Sequence, residues 1–263
     1  MQLVRFLSEQ KVHYGIQQGS SIKEVADPGE DWHKASFSET GKVFDHKAVK
    51  LLAPCRPDKV VCVGLNYREH AAEVKAAVPD KPIIFLKPST AVIGPEEAIV
   101  LPPQSRRVDY EAELAVVMGR RAHRVGAERA LDYVFGYTCG NDVTARDLQP
   151  PGGQWTYAKG FDTFCPLGPA INTEIADPEA LPVKGILNGK VVQAGNTAEH
   201  LFSVAELIEF ISHCMTLLPG DVILTGTPVG IGPLSPGDTF GVDIHGIGRL
   251  SNYVESQGDL GEG

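Results

Sequence analysis

Paired cysteines are missing from this chain. Its five, Cys55, Cys62, Cys139, Cys165 and Cys214, are odd in number, scattered and without a CxxC unit. That pattern excludes a disulfide framework and a zinc knuckle, and leaves buried thiols as the expected state. Positive charge is also scarce. Against 33 Asp and Glu stand 24 Lys and Arg, a formal net charge of −9, which disfavours nucleic acid and anionic membranes because both reward basic patches. An anionic small molecule stays within reach, since a bound cation and a few Lys or Arg reverse the field locally. Long apolar runs are absent too: stretches such as "VVCVGL" and "PIIFL" are too short to span a bilayer. The opening "MQLVRFLSEQK" turns polar at Ser8 and lacks the apolar segment and cleavage site of a secretory signal, so a cytoplasmic location is expected. With no low-complexity tract and 263 residues, 43% of them apolar, the chain can bury a substantial core in one domain or two.

What is present reads mainly as strands. "LVRFL" and "KVHYGIQ" flank the polar "SEQ" as a plausible hairpin, and a polar stretch follows from Asp27 to Lys47. "LLAPCRPDK", with two prolines, looks like a linker. The chain therefore divides into a small unit, 1–53, and a larger one, 54–263. In the larger unit, Pro219-Gly220-Asp221 and Pro236-Gly237-Asp238 each put proline before glycine, as a type II turn requires, and each leads into an apolar run. Helices are few. Ser203 and Glu206 form a capping box ahead of Val204, Leu207, Ile208, Ile211, Met215 and Leu218 at helical spacing. "GAERALDYVFG" is a second helix, ending near Gly136. This mixture predicts a β-rich α+β domain with a few covering helices, not alternating βαβ units.

"VDYEAELAVV" sets Asp109, Glu111 and Glu113 at alternate positions, so on a strand they share one face. A half-buried strand with its polar face in water is one explanation. Against it, the same face turns apolar at Ala115 and Val117, and buried neighbouring carboxylates require a basic residue or a metal ion. Asp142, in "GYTCGNDVTARDLQ", is a turn residue or cap in isolation. Joined to Glu111 and Glu113, it completes a hard oxygen set suited to Mg²⁺ or Mn²⁺. In "CVGLNYREHAAEV" a strand ends at Gly64 and a helix starts with Asn66 as its cap. His70 and Glu73 then stand at i and i+3, either as an exposed ion pair or as an imidazole oriented for general base work. The glycine-rich "LTGTPVGIGP" lacks the Gly-Lys-Ser/Thr of a nucleotide loop. It reads as a plain tight loop or as a backbone nest that, with the Thr227 hydroxyl, holds a carboxylate. Lys159, between aromatic and apolar stretches, is a snorkelling surface residue or a charge aimed at an anion.

Taken in order, "VVCVGLNYREHAAE", "PIIFLKPSTAVIGP", "VDYEAELAVVMGR", "GYTCGNDVTARDLQ", "WTYAKGFDTFCPLGP", "LNGKVVQAGNT" and "LLPGDVILTGTPVGIG" resemble the fumarylacetoacetate hydrolase family over nearly all of residues 54–263. Residues 1–53 look, more loosely, like the small N-terminal region of bacterial members. The resemblance implies a rolled mixed β-sandwich, usually a homodimer. It implies Glu111, Glu113 and Asp142 as ligands of Mg²⁺ or Mn²⁺, and His70 with Glu73 as the dyad that activates water. Lys159, Arg146, Gln149 and Thr227 match positions lining the substrate site, while Asp109 takes no ligand role. Between Gln149 and Gln154 the chain has only the proline-stiffened "PPGG", where members vary and substrate choice is expected to depend.

The substrates so implied are small 2-oxo or enol mono- and dicarboxylates, processed through an enolate stabilised by the cation. Hydrolysis of an acylpyruvate or decarboxylation of an oxaloacetate-like acid ranks slightly ahead of isomerisation of a hydroxydienedioate, because the dyad favours water activation. In those readings Lys159 and Arg146 neutralise substrate carboxylates. A reading of another class is a noncatalytic, metal-stabilised β-module binding an anionic ligand.

Overall fold

The computed structural model describes residues 1–29, 32, 33, 35 and 37–259, so part of the polar stretch from Asp27 to Lys47 lies outside the described residues. The architecture is β-rich α+β. One large sheet runs in the order Glu39–Asp45, Ser21–Val25, Lys11–Gln18, Gln2–Ser8, Cys165–Asn172, Val134–Asn141, Ala112–Met118, Val222–Leu224, Val60–Gly64 and Ile83–Lys87. A second sheet of five strands and a third of three complete it. The mixed character is concentrated where it matters. Val222–Leu224 pairs antiparallel with Ala112–Met118 but parallel with Val60–Gly64, so both members of that parallel pair point the same way and release their next residues at one end of the sheet.

The central strand, Ala112–Met118, is buried at every position, which is why it reads as apolar apart from Glu113. Its core partners include Val61, Val63, Leu207, Ile208 and Ile211. The last three lie on the helix Val204–Cys214, whose Ser203 and Glu206 form the reciprocal capping box. That helix ends one residue before Met215, which is extended. Gly220 and Gly237 adopt φ of +85° and +88°, the backbone that a type II turn demands after proline and that L side chains resist. At the other end of the chain, Glu9 and Gln10 carry positive φ between Gln2–Ser8 and Lys11–Gln18, as in a two-residue hairpin. Leu3 faces Ile171, and Lys50–Leu52 pairs back onto Gln2–Ser8. The N-terminal strands thus extend the sheet of the larger part, and Cys55 in the proline-rich connection is fully buried.

Two local expectations need correction. "GAERALDYVFG" is helical only over Ala127–Ala130 with a 3₁₀ turn at Leu131–Tyr133, and Gly136 lies inside the strand Val134–Asn141. The strand is favoured because Val134, Gly136 and Tyr137 pair with the central strand, so tertiary pairing overrides the helical spacing. Asn66 does not cap the helix Arg68–Glu73; Tyr67 holds that position with no side-chain bond. Buried Asn66 instead donates to the carbonyls of Thr225 and Phe202 and accepts from the Phe202 N–H.

Candidate active site

The acidic stretch does not stay on one strand. Val108–Tyr110 belongs to the three-stranded sheet and Ala112–Met118 to the large one, with the chain crossing between them at Glu111. Water-facing alternation is excluded, because Asp109, Glu111 and Glu113 are exposed by 0%, 4% and 1%. Register supplies the third carboxylate. Ala112 sits opposite Asn141, so one further step on each strand sets Glu111 beside Asp142. The Asp142 N–H donates to the Glu111 carbonyl at 3.0 Å, and the Asn141 side chain accepts the Glu111 N–H at 2.9 Å. One carboxylate oxygen from each of Glu111, Glu113 and Asp142 lies within 4.8 Å of the others.

Cations crowd this triad unevenly. Lys159, on the short helix Thr156–Lys159, donates to Glu111 Oε2 at 2.9 Å and to Asp142 Oδ2 at 2.7 Å. Each nitrogen of Arg146 binds a protein oxygen. Its Nε donates to Asp109 at 2.9 Å, one terminal nitrogen to Gln149 at 2.7 Å and the other to Glu111. Burial disfavours the Glu111 charge, but Lys159, Arg146 and His70 outweigh it and hold its carboxyl well below the usual range. Glu113 is left without such a partner: burial, then Asp142 and Glu111, push its carboxyl well above the usual range. Among the described residues its single protein donor is the Gly226 N–H at 2.8 Å. Lys87, absent from the sequence-based site, lies under Asp142 with Nζ 2.7 Å from Oδ1. Its three N–H groups, however, go to the carbonyls of Val143, Lys159 and Phe164 at 2.7–2.8 Å, and an ammonium has only three. Asp142 Oδ1 is consequently a buried acceptor with no hydrogen bond. An orphaned carboxylate oxygen beside an uncompensated carboxylate is what a hard divalent cation would complete.

The parallel strand pair delivers the remaining groups. After Gly64 comes the helix Arg68–Glu73, where His70 Nδ1 lies 2.9 Å from Glu73 Oε2. A carboxylate only accepts, so in the neutral imidazole Nδ1 carries the proton and Nε2 the lone pair. After Leu224 comes the glycine-rich loop, and its backbone does hold carboxylates, those of the protein itself. The Gly226 N–H binds Glu113 and the Gly230 N–H binds Glu73 at 3.0 Å. Both glycines have φ near +100°, and a Cβ on Gly226 would lie 2.7 Å from Asn66 Cβ. The Thr227 hydroxyl donates to the Ala112 carbonyl at 2.9 Å and accepts from Gln193.

His70, Glu111, Glu113, Asp142, Arg146, Gln149, Lys159 and Thr227 all line one cavity of about 490 Å³, and Glu73 reaches it through His70. Its outer wall is apolar, from Ile83, Pro150, Pro151 and Trp155. Besides Lys87, Gln193 carries no local signal of its role; it braces Thr227 and accepts the Ala112 N–H. Lys87 was detectable in principle: it shares a strand face with Ile83 and Phe85, so a charged residue there must be buried and paired.

A family model described as fumarylacetoacetate (FAA) hydrolase C-terminal matches residues 59–255. The chain belongs to the fumarylacetoacetate hydrolase family. A second model, Rv2993c-like, N-terminal, matches residues 1–54. The human protein oxaloacetate tautomerase FAHD2A, mitochondrial, is 46% identical over 251 residues, covering 91% of this chain and 78% of that one. The crystal structure of 2-hydroxyhepta-2,4-diene-1,7-dioate isomerase from Mycobacterium marinum is 44% identical, covers 98% of this chain and 99% of that one, and superposes with a TM-score of 0.89. Maleylpyruvate hydrolase from Sphingobium is 30% identical over 97% of this chain and 100% of that one, with a TM-score of 0.81. Family members are enzymes acting on small carboxylate substrates, and this fumarylacetoacetate hydrolase family chain shares their β-rich fold. Among the described residues no helix is long and apolar enough to cross a membrane.

Proposed function

We propose that this chain is a Mg²⁺- or Mn²⁺-dependent enzyme that moves a proton at C3 of a 2-oxo or enol carboxylate, as a keto–enol tautomerase or isomerase. The observation that carries the reading is His70, 5% exposed, with its proton fixed on Nδ1 by Glu73, lining the same cavity as three carboxylates. In this mechanism Nε2 removes a proton from C3. The C3–H pair becomes the C2–C3 double bond, the carbonyl pair moves to oxygen, and the proton is returned there to give the enol. Ketonisation is the reverse. Glu73, itself held by the Gly230 N–H, stabilises the imidazolium formed between the two transfers. A divalent cation held by Glu111, Glu113 and Asp142 would supply Lewis-acid stabilisation of the charge that develops on the substrate oxygen. Lys159 and Arg146 act on the site's own carboxylates, keeping Glu111 ionised.

A second reading keeps the same residues and breaks a C–C bond. The His70–Glu73 pair is equally suited to deprotonating water for acylpyruvate hydrolysis, and decarboxylation of an oxaloacetate-like acid would use the same enolate. We place proton transfer ahead because the relatives named for tautomerase and isomerase activity are 46% and 44% identical, against 30% for the maleylpyruvate hydrolase. A noncatalytic binding module would need the cation ligands but not an oriented, buried imidazole. The same reading takes the protein as a cytoplasmic homodimer with residues 1–53 as a small accessory unit.

The test is a proton NMR time course with Mg²⁺ and a chelated control on oxaloacetate, a hydroxydienedioate, acetylpyruvate and fumarylpyruvate. Metal-dependent enol–keto conversion or a shifted double bond without cleavage is the expected result. Pyruvate with a carboxylic acid would move the assignment to hydrolysis, and no turnover on any of the four would favour the binding module.

A further inference from the structure

The cavity's other cations all bind protein oxygens. Every nitrogen of Arg146 binds a protein oxygen, Lys159 bridges two carboxylates, and Lys87 lies behind the wall, bonded to three carbonyls. One more lysine lines the cavity, Lys75; it is exposed at the cavity's rim, and among the described residues its ammonium has neither a hydrogen-bond partner nor a carboxylate. The lining also includes the apolar Val74, Ala76, Ile83, Pro150 and Trp155.

Lys75 also occupies an unfavourable backbone position. The helix Arg68–Glu73 ends in a Schellman motif, with the Ala76 N–H donating to the Ala71 carbonyl at 2.9 Å and the Lys75 N–H to the Ala72 carbonyl at 3.1 Å. The residue between cap and exit must be left-handed, a place glycine normally fills. Here it is lysine with φ of +57°. A lysine therefore stands at a strained site on the cavity wall, the kind of strain that concentrates at ligand-binding positions.

We propose that Lys75 is the specificity-determining residue for a second carboxylate, pairing with the far end of a dicarboxylate substrate whose near end lies at the acidic triad. This rests on the cation-dependent 2-oxo acid reading. Charge balance supports it. Four buried carboxylates, Asp109, Glu111, Glu113 and Asp142, face Arg146, Lys159 and Lys87, so a divalent cation would leave a single positive charge, which the near carboxylate neutralises. A second carboxylate in the apolar outer part then needs its own partner.

Calorimetric titration of the Mg²⁺-loaded protein tests this with three kinds of probe. Oxalate reports the cation site alone; 2-oxoglutarate and 2-oxoadipate carry a far carboxylate; 2-oxovalerate and 2-oxohexanoate are their uncharged counterparts. The wild type should bind the diacids more tightly than the matched monoacids. Lys75→Gly and Lys75→Met should weaken the diacids on the order of three- to tenfold while leaving oxalate and the monoacids within about twofold. Lys75→Arg should keep the preference. Lys75→Gly should also raise Tm by relieving the left-handed lysine, so its weaker diacid binding would not reflect unfolding. A preference that survives in both Lys75→Gly and Lys75→Met, or that the wild type lacks, overturns the proposal. Failure of oxalate to bind overturns the cation-site reading and this proposal with it.

Discussion

Glu113 concentrates the electrostatic tension of the site. It is 1% exposed, has one N–H donor, and faces Asp142 and Glu111, so in the cation-free protein it holds a proton well above its ordinary value of 4.5. Between that value and the raised one, the folded state binds a proton that the unfolded state has lost, so stability falls as pH rises. The cation-free protein should therefore lose stability as pH rises above the ordinary value of 4.5, with a slope approaching about 1.4 kcal/mol per pH unit. Mg²⁺ should flatten the slope, since cation uptake displaces that proton, and Glu113→Gln should abolish it. Thermal melts across that range with and without chelator check all three. Alternation at Asp109, Glu111 and Glu113 was legible in the sequence; how Arg146 divides its fork was not. That division depends on Gln149 and Asp109 meeting around one guanidinium, a three-body arrangement that no spacing encodes.

Among the elements, the glycine-rich loop after Val222–Leu224 carries more than its sequence suggests. Its two N–H groups fix one carboxylate of the triad and the carboxylate of the dyad, and coupling them through one short segment keeps base and acidic triad in register. A Cβ on Gly230 would collide with the Val192 carbonyl, at a φ of +106° that L residues rarely adopt. Gly230→Ala should cost about 1–3 kcal/mol and lower kcat at least about tenfold by freeing Glu73, with cation affinity changed little because Glu111, Glu113 and Asp142 are untouched. Comparing kcat with Mn²⁺ affinity by calorimetry separates the two effects. Elements with self-contained signals, such as the capping box at Ser203 and Glu206 and the turns at Gly220 and Gly237, could be read directly. Those decided by distant partners could not. Asn66 has the local pattern of a cap while its bonds reach Phe202 and Thr225, and the residues around Gly136 have helical spacing while nothing local reveals their pairing with Ala112–Met118.

For the whole molecule, the sheet order explains why the site lies where it does: a parallel pair beside the central antiparallel strand brings the dyad helix and the glycine loop to the edge where Glu111 crosses between sheets. The β-rich class was evident from short apolar runs between glycines and prolines, whereas the junction of Gln2–Ser8 with Cys165–Asn172 is a long-range pairing without a local signal. The proposed homodimer is checked by light scattering, which should give twice the chain mass. The central claim, cation-dependent proton transfer at C3 by His70, is tested most directly by following deuterium entry into C3 of oxaloacetate in D₂O by NMR. The comparison is between wild type, His70→Asn and Glu113→Gln, each with Mg²⁺ and with chelator. Exchange above the metal-only rate in the wild type with Mg²⁺, and loss of that excess in both variants and under chelation, is the expected result; undiminished exchange in His70→Asn would contradict it.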